Sequence, residues 1–252
     1  MGRRGPRLRL SKVSVAAVLG AGMAAFGALP AFAQSATTTV VPSANWAGYA
    51  ATGPAGSFSS VAASWTQPTV SCAVGETSYS SYWVGLDGYN SRTVEQIGTD
   101  SDCINGTATY YAWYEIYPKP ATVIPAVSVS ASTAITASVD YEPATRGPGT
   151  FTVALSTAGG DFSLSAKSPA ARRTSAEVIV EAPSRNHGPF GSLPLSEFGS
   201  VTFSGATVNA TVPLGAAPTL AELVMQSSGA TVALPSDFTS AGSSFAVTRE
   251  PV

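Results

Sequence analysis

The stretch Ser175–Pro183, "SAEVIVEAP", sets two glutamates four residues apart inside a short apolar run. On a helix, Glu177 and Glu181 would be neighbours and repel weakly. On a strand, Glu177, Ile179 and Glu181 share one face while Val178 and Val180 take the other. The β-branched Val-Ile-Val run and the Ala-Pro that follows favour the strand. The two carboxyls are then either a solvated edge or part of a working site, depending on what else meets their face.

Working outward, the rest of the chain also reads as strands. Runs rich in Val, Thr, Ser, Tyr and Phe alternate with Gly, Pro, Asn and Asp turns, as in "SSVAASWTQPTV", "AVSVSASTAITASVDYE" and "GSVTFSGATVNATV". "TAGGD" and "TRGPGT" have the composition of hairpin connections. "TLAELVMQ" reads as a short helix, although its Val-Met-Gln end also suits a strand. No internal repeat and no long linker divides the body. The expected fold class is all-β, an antiparallel β-sandwich in one domain over residues 45–252. Residues 34–44, beginning "QSATTTVVPS", are expected to form a flexible lead-in.

The first thirty-three residues have a different character. A basic start, an apolar core and a small-residue "AFA" before Gln34 predict a secretory signal peptide over residues 1–33. Its removal takes away five of the thirteen basic residues and no acidic one. The remaining chain of about 219 residues carries 8 basic against 15 acidic groups. That balance argues against nucleic acid as a partner. With no second long apolar run, no membrane association is expected after signal removal, and a secreted monomer is expected. So few Lys and Arg charges also predict tolerance of acid, because little cationic repulsion remains once carboxylates protonate.

Simple exclusions narrow the chemistry. The chain has two cysteines, Cys72 and Cys103, and export makes a disulfide between them the expected state. The single histidine, His187, lies in the Gly/Pro-rich "SRNHGPFGS" and reads as a surface loop residue. There is no G-x-S-x-G elbow, no H-E-x-x-H and no phosphate-binding G-x-x-x-x-G-K-S/T loop. Asp-Thr-Gly and Asp-Ser-Gly triplets are also missing. The candidates left are carboxylates, amides and aromatic residues.

Strand alternation groups these candidates. In "SSYWVGLDGYN", Trp83, Gly85 and Asp87 share a face opposite a core-like Tyr82, Val84 and Leu86. In "TYYAWYEIYP", Tyr111, Trp113, Glu115 and Tyr117 share a face, an unusual setting for a carboxylate unless it serves a cleft. In "RTVEQIGTDSDC", Val94, Gln96 and Gly98 oppose Glu95 and Ile97. Taken alone, Gln96 reads as an ordinary surface amide.

Together these blocks resemble the glutamic peptidases, the eqolisin family of secreted acid endopeptidases. The resemblance is carried by "NWAGY" (45–49), "WTQP" (65–68), "YWVGLDGYNSRTVEQIGTD" (82–100), "YYAWYEIYP" (110–118), "SAEVIVEAP" (175–183) and the closing "SSFAVTREPV". It implies two large antiparallel sheets in a lectin-like sandwich, with the active site on a concave sheet face. It also implies a catalytic dyad of Gln96 and Glu181, acting on protein or peptide substrates in acid without metal or cofactor. An ionised Glu181 would take a proton from the attacking water, and Gln96 would stabilise the oxyanion. Trp46, Trp83, Asp87, Asp100, Trp113 and Glu115 are implied as walls and supports, with Glu177 a supporting or exposed group. Three departures stand out. Only about a dozen residues separate the signal from "NWAGY", where fungal members carry a long propeptide. Val178 follows Ala-Glu where an aromatic residue is usual, and Ile116 stands in place of a tryptophan.

Two other readings fit the same face. Glu115 and Glu181 could be the carboxylate pair of a β-sandwich glycoside hydrolase, which needs a separation of roughly 5–9 Å. Alternatively, Trp83, Trp113 and Tyr111 could form the stacking platform of a non-catalytic carbohydrate-binding module.

Overall fold

The apolar faces of β-rich segments have to be covered, and this chain covers them by laying one set of strands on another. The computed structural model describes residues 37–184 and 191–251. The predicted signal peptide and His187 lie outside these described residues. The described residues open with β1 (Thr37–Ser43) and β2 (Trp46–Thr52), joined by a bend at residues 44–45. The segment expected as a flexible lead-in therefore contains a strand, β1, which pairs in parallel with β14 (Thr219–Ser227). "TLAELVMQ" lies within β14, so its β-compatible end describes the whole segment.

β3 (Ser60–Thr66) is followed by a meander of β4 (Ser81–Leu86), β5 (Glu95–Ile104), β6 (Thr107–Ile116) and the short β7 (Thr122–Val123). A second meander contains β8 (Ala134–Glu142), β9 (Thr150–Thr157) and β10 (Gly160–Ala166). Its two connections are the predicted "TRGPGT" and "TAGGD" turns. β11 (Ser175–Glu181) inserts antiparallel between β2 and β4. β12 (Ser200–Val208), β13 (Val212–Pro213), β14, β15 (Ala230–Pro235) and β16 (Phe245–Arg249) complete the described chain.

The hydrogen-bonded path is continuous and folds at β12. The first half of β12 pairs with β16 and the second half with β3. Between them the register shifts from Ser204 to Thr207, around Gly205 at φ +60°. A bulge with a glycine in the left-handed region bends the strand and lets one ladder become two layers. One layer runs β16-β15-β14-β2-β11-β4-β5-β6-β7, and the other β3-β8-β9-β10.

Between the layers, Tyr82, Val84 and Leu86 of β4 and Val178 and Val180 of β11 meet Ile135, Val139, Val153 and Leu155 of β8 and β9. Each such side chain contributes roughly 1.5–3 kcal/mol by leaving water. The alternation read from the sequence thus fixes which face of β4 and β11 points inward. The outer face of that layer, across β2, β4, β6, β11 and β14, carries a separate apolar group of Trp83, Trp113, Ile179, Ala50, Ala221 and Leu223. That outer face positions the candidate site. Cys72 and Cys103 are joined by a disulfide that closes a 31-residue separation.

Candidate active site

Three side-chain rows cross the outer face of β2, β11, β4, β5 and β6. The middle row runs Gly48–Ile179–Trp83–Gly98–Trp113. Two residues to one side lies Ala50–Glu177–Gly85–Gln96–Glu115, and two to the other lies Trp46–Glu181–Ser81–Asp100–Tyr111. Distant sequence blocks thus converge because neighbouring strands keep their side chains in register. A cleft of about 1000 Å³ opens above them, and Gln96, Glu115, Asp100, Trp113, Trp46 and Glu181 all line it.

Glycines make room in these rows. A Cβ at Gly98 would stand 2.3 Å from the Tyr82 carbonyl oxygen and 2.6 Å from Trp83 Cβ. A Cβ at Gly85 would press on the six-membered ring of Trp83 at 2.9 Å. The Trp83 indole is accordingly fully buried beneath the cleft, its ring edge against Gly85. Its other end donates Nε1–H to Glu181 Oε2 at 2.9 Å. Trp46 packs edge-on against Trp83, with ring centroids 5.0 Å apart.

Glu181 is held on both oxygens, since Asn45 Nδ2 donates to Oε1 at 3.0 Å. Asn45 is in turn set by Ser43, whose hydroxyl accepts the N–H of Asn45 and of Trp46. Burial raises the Glu181 carboxyl to about 8. The N–H groups of Trp46 and Trp83 oppose that rise, while the Glu115 and Asp100 carboxyls add to it. Trp83 Nε1 bonds the carboxyl directly, whereas Trp46 Nε1 lies nearby without a direct hydrogen bond among the described residues.

Across the cleft, Gln96 sits directly opposite Glu115 in the β5–β6 ladder, and its Nε2 donates to Glu115 Oε2 at 2.6 Å. Gln96 Oε1 is buried without a partner. Asp100 accepts Trp113 Nε1–H at 2.5 Å on one oxygen and Tyr111 Oη at 2.7 Å on the other. Its carboxyl is raised by burial, against the pull of Ser81, Tyr111 and Trp113.

Asp87 and Glu177 stand apart from the cleft lining. β4 ends at Leu86, and Asp87 turns away with φ +66°. Its carboxylate is fully buried and accepts the backbone N–H of Arg172, Arg173 and Thr174 at 2.7, 2.6 and 2.9 Å. Glu177 is also fully buried, accepting Tyr89 N–H on Oε1. Burial drives its carboxyl well above the ordinary range. Since Thr174 Oγ1 also bonds Asn90, both acids tie down the 88–94 loop that walls the cleft. Sequence reasoning missed Asn45. The available signal was an amide one residue before a strand-starting tryptophan, inside a quoted block.

Fold and site together define a two-layer β protein whose outer sheet face carries an amide and several raised carboxyls between indoles. Residues 44–249 match the Peptidase A4 family, and the chain belongs to that family. It is 30% identical over 197 residues to aspergillopepsin-2 of Aspergillus niger, covering 68% of this chain and 66% of that relative. Scytalido-glutamic peptidase, solved with a transition state analog inhibitor, superposes with a TM-score of 0.67 at 26% identity, over 82% of this chain and 98% of its own. The aspergilloglutamic peptidase of Aspergillus niger gives a TM-score of 0.52 at 26% identity, over 68% of this chain and 99% of its own. Both solved structures are glutamic peptidases, and the comparisons lend no support to the glycoside hydrolase reading of the same face.

Proposed function

We propose that this chain is an acid endopeptidase that hydrolyses peptide bonds in proteins, with Glu181 moving protons and Gln96 stabilising the tetrahedral intermediate. The observation that carries this reading is that both side chains open onto one cleft, from β5 and β11, in a chain of the Peptidase A4 family. A carboxyl raised to about 8 holds its proton throughout the acid range. The resting Glu181 is then an acid, which changes the opening step from the ionised base expected on the family resemblance.

A protonated carboxyl can serve both needs at once. One oxygen accepts a proton from the attacking water while the other gives its proton to the substrate carbonyl oxygen. The product is a gem-diol, and Glu181 ends the step as it began, neutral. In the second step the same carboxyl protonates the amine nitrogen and takes a proton from a diol hydroxyl. The C–N bond breaks, leaving a carboxylic acid and an amine. Asn45 and Trp83, one on each oxygen, fix the plane in which both transfers occur. Gln96 Nε2 spends one hydrogen on Glu115 and keeps a second for the carbonyl oxygen as it gains charge.

The test is digestion of a denatured protein at about pH 4 in the presence of pepstatin, comparing wild type with Glu181→Gln. Wild type should digest it and the variant should not; equal digestion ends this assignment. Export belongs to the same proposal, with residues 1–33 as the signal and 45–252 as the peptidase domain, released as a monomer. Amino-terminal sequencing of the chain collected from culture medium checks the cleavage point.

A further inference from the structure

On β5, Asp100 and Asp102 point to the same outer face, and Tyr111 of β6 stands opposite Asp100 and diagonal to Asp102. The Tyr111 hydroxyl lies 2.7 Å from Asp100 Oδ2 and 2.9 Å from Asp102 Oδ2. A phenol has one hydrogen and can donate it once. The second short contact therefore needs a proton supplied by a carboxyl, so one of the two aspartates is a carboxylic acid in this arrangement. Both aspartates are almost fully buried. No lysine or arginine among the described residues bonds either of them.

Only one of the pair reaches the cleft. Asp100, Tyr111 and Trp113 line it, whereas Asp102 lies behind them, its Oδ1 facing the backbone N–H of Ser80 at 3.3 Å. We propose that Asp102, in its acid form, is a positioning residue for the peptidase reaction: it donates to Tyr111, which frees Tyr111 to donate to Asp100, which holds Trp113. This rests on the peptidase reading above.

The direction of the pH response follows from the hydrogen count. Losing the shared proton leaves two carboxylates around one hydroxyl, and one contact must open. Tyr111 and Trp113 then lose their fixed place in the cleft wall. Burial raises both aspartates, and the neighbouring Asp100 carboxyl adds to the rise at Asp102. The other titratable groups coupled to the pair are Tyr111 itself and Glu181 of β11 on the cleft side, and Tyr82 of β4 from the core side. Burial keeps both tyrosines neutral, and Glu181 is neutral in acid, so Asp100 and Asp102 hold the proton that is lost first.

The experiment uses the mature full chain and two readouts across the pH range. One is kcat/KM on a fluorogenic peptide, and the other is tryptophan emission without substrate. Asp102→Asn keeps a permanent N–H donor toward Tyr111, so its alkaline limb of kcat/KM should move up by about one pH unit or more, and the emission transition should move with it. Asp102→Ala removes the donor and should lower kcat/KM about tenfold even in acid. A merely structural Asp102 would lower activity without moving the limb. Wild-type pH profiles in Asp102→Asn, by both readouts, overturn the proposal while leaving the peptidase reading intact. If wild type hydrolyses nothing at any pH, the peptidase reading and the proposed role both fall. An emission transition that shifts in Asp102→Asn would then show that the shared proton itself survives.

Discussion

Trp83 donates its indole N–H to Glu181 at 2.9 Å, linking β4 to β11 across ninety-eight residues of chain. Gly85 leaves room for the edge of the six-membered ring and Gly98 for the Trp83 Cα and Cβ, and the indole N–H reaches the carboxyl from that position. A floor residue thereby fixes the plane of the carboxyl proposed to move protons.

Replacing Trp83 by Phe should keep most of the apolar volume and delete that donor. A hydrogen bond to a neutral carboxyl is worth about 0.5–1.5 kcal/mol net, so kcat should fall about twofold to tenfold. The Trp83 N–H favours the carboxylate, so its loss should raise the Glu181 pKa further above about 8. Pre-steady-state rates against pH give both quantities. An unchanged kcat would mean that the indole serves packing alone.

Gln96→Ala should lower kcat by about a hundredfold to a thousandfold with a small change in KM, since an oxyanion donor acts mainly in the transition state. Glu115 acts one step back by orienting Gln96 through the 2.6 Å contact. Glu115→Ala should therefore cost less, about tenfold, in the same parameter. Steady-state kinetics on one peptide substrate separates the two. A larger loss from Glu115→Ala than from Gln96→Ala would reverse these roles.

Glu95 faces the opposite way, into the sandwich, fully buried and with no direct hydrogen bond on either carboxyl oxygen. Burial raises it to about 8, opposed by the nearby hydroxyls of Ser168 and Thr93 and reinforced by Asp87. In the unfolded chain it titrates near an ordinary glutamate value of about 4.3. Between those values the folded state binds more protons, so stability falls as pH rises, on the order of 1.4 kcal/mol per unit. Glu95→Gln should leave the melting temperature unchanged at about pH 4 and raise it relative to wild type at about pH 7. Parallel melting curves for the two proteins at both pH values would exclude Glu95 as a source of neutral-pH instability.

Much of this was readable in the chain because it depends on strand alternation. Tyr82, Val84 and Leu86 face the core, and Trp113 and Glu115 face the cleft, as period-two counting requires. Counting failed where a strand ended: Asp87 sits one residue past β4 in a left-handed turn, so it left the face to which alternation assigned it. It also could not separate Glu177 from Glu181. They share a face, but Glu177 lies under the 88–94 loop and Glu181 opens to the cleft, a difference set by residues far away in sequence. Asn45 was hidden for the same reason, because its partner is 136 residues distant. β1 was missed because its Thr-rich stretch gains its order from pairing with β14.

Gly98 tests whether the slot beneath the cleft is required. Its Cβ would meet the Tyr82 carbonyl oxygen at 2.3 Å and Trp83 Cβ at 2.6 Å, and neither is the free end of a flexible side chain. Gly98→Ala should therefore cost at least about 1–3 kcal/mol, by forcing β4 and β5 apart or driving the indole from its place. Either movement breaks the alignment of Trp83 with Glu181, so activity in the surviving folded fraction should fall as well. Gly75 is the control, since it has φ +76° and open space around its Cβ position. Gly75→Ala should cost about 1 kcal/mol from backbone strain and leave kcat untouched. Chemical denaturation of both variants, with kcat measured on the folded fraction, distinguishes a packing slot from general loss of stability. Equal destabilisation with unaltered kcat in Gly98→Ala would show that the indole can reach Glu181 without the space that this glycine provides.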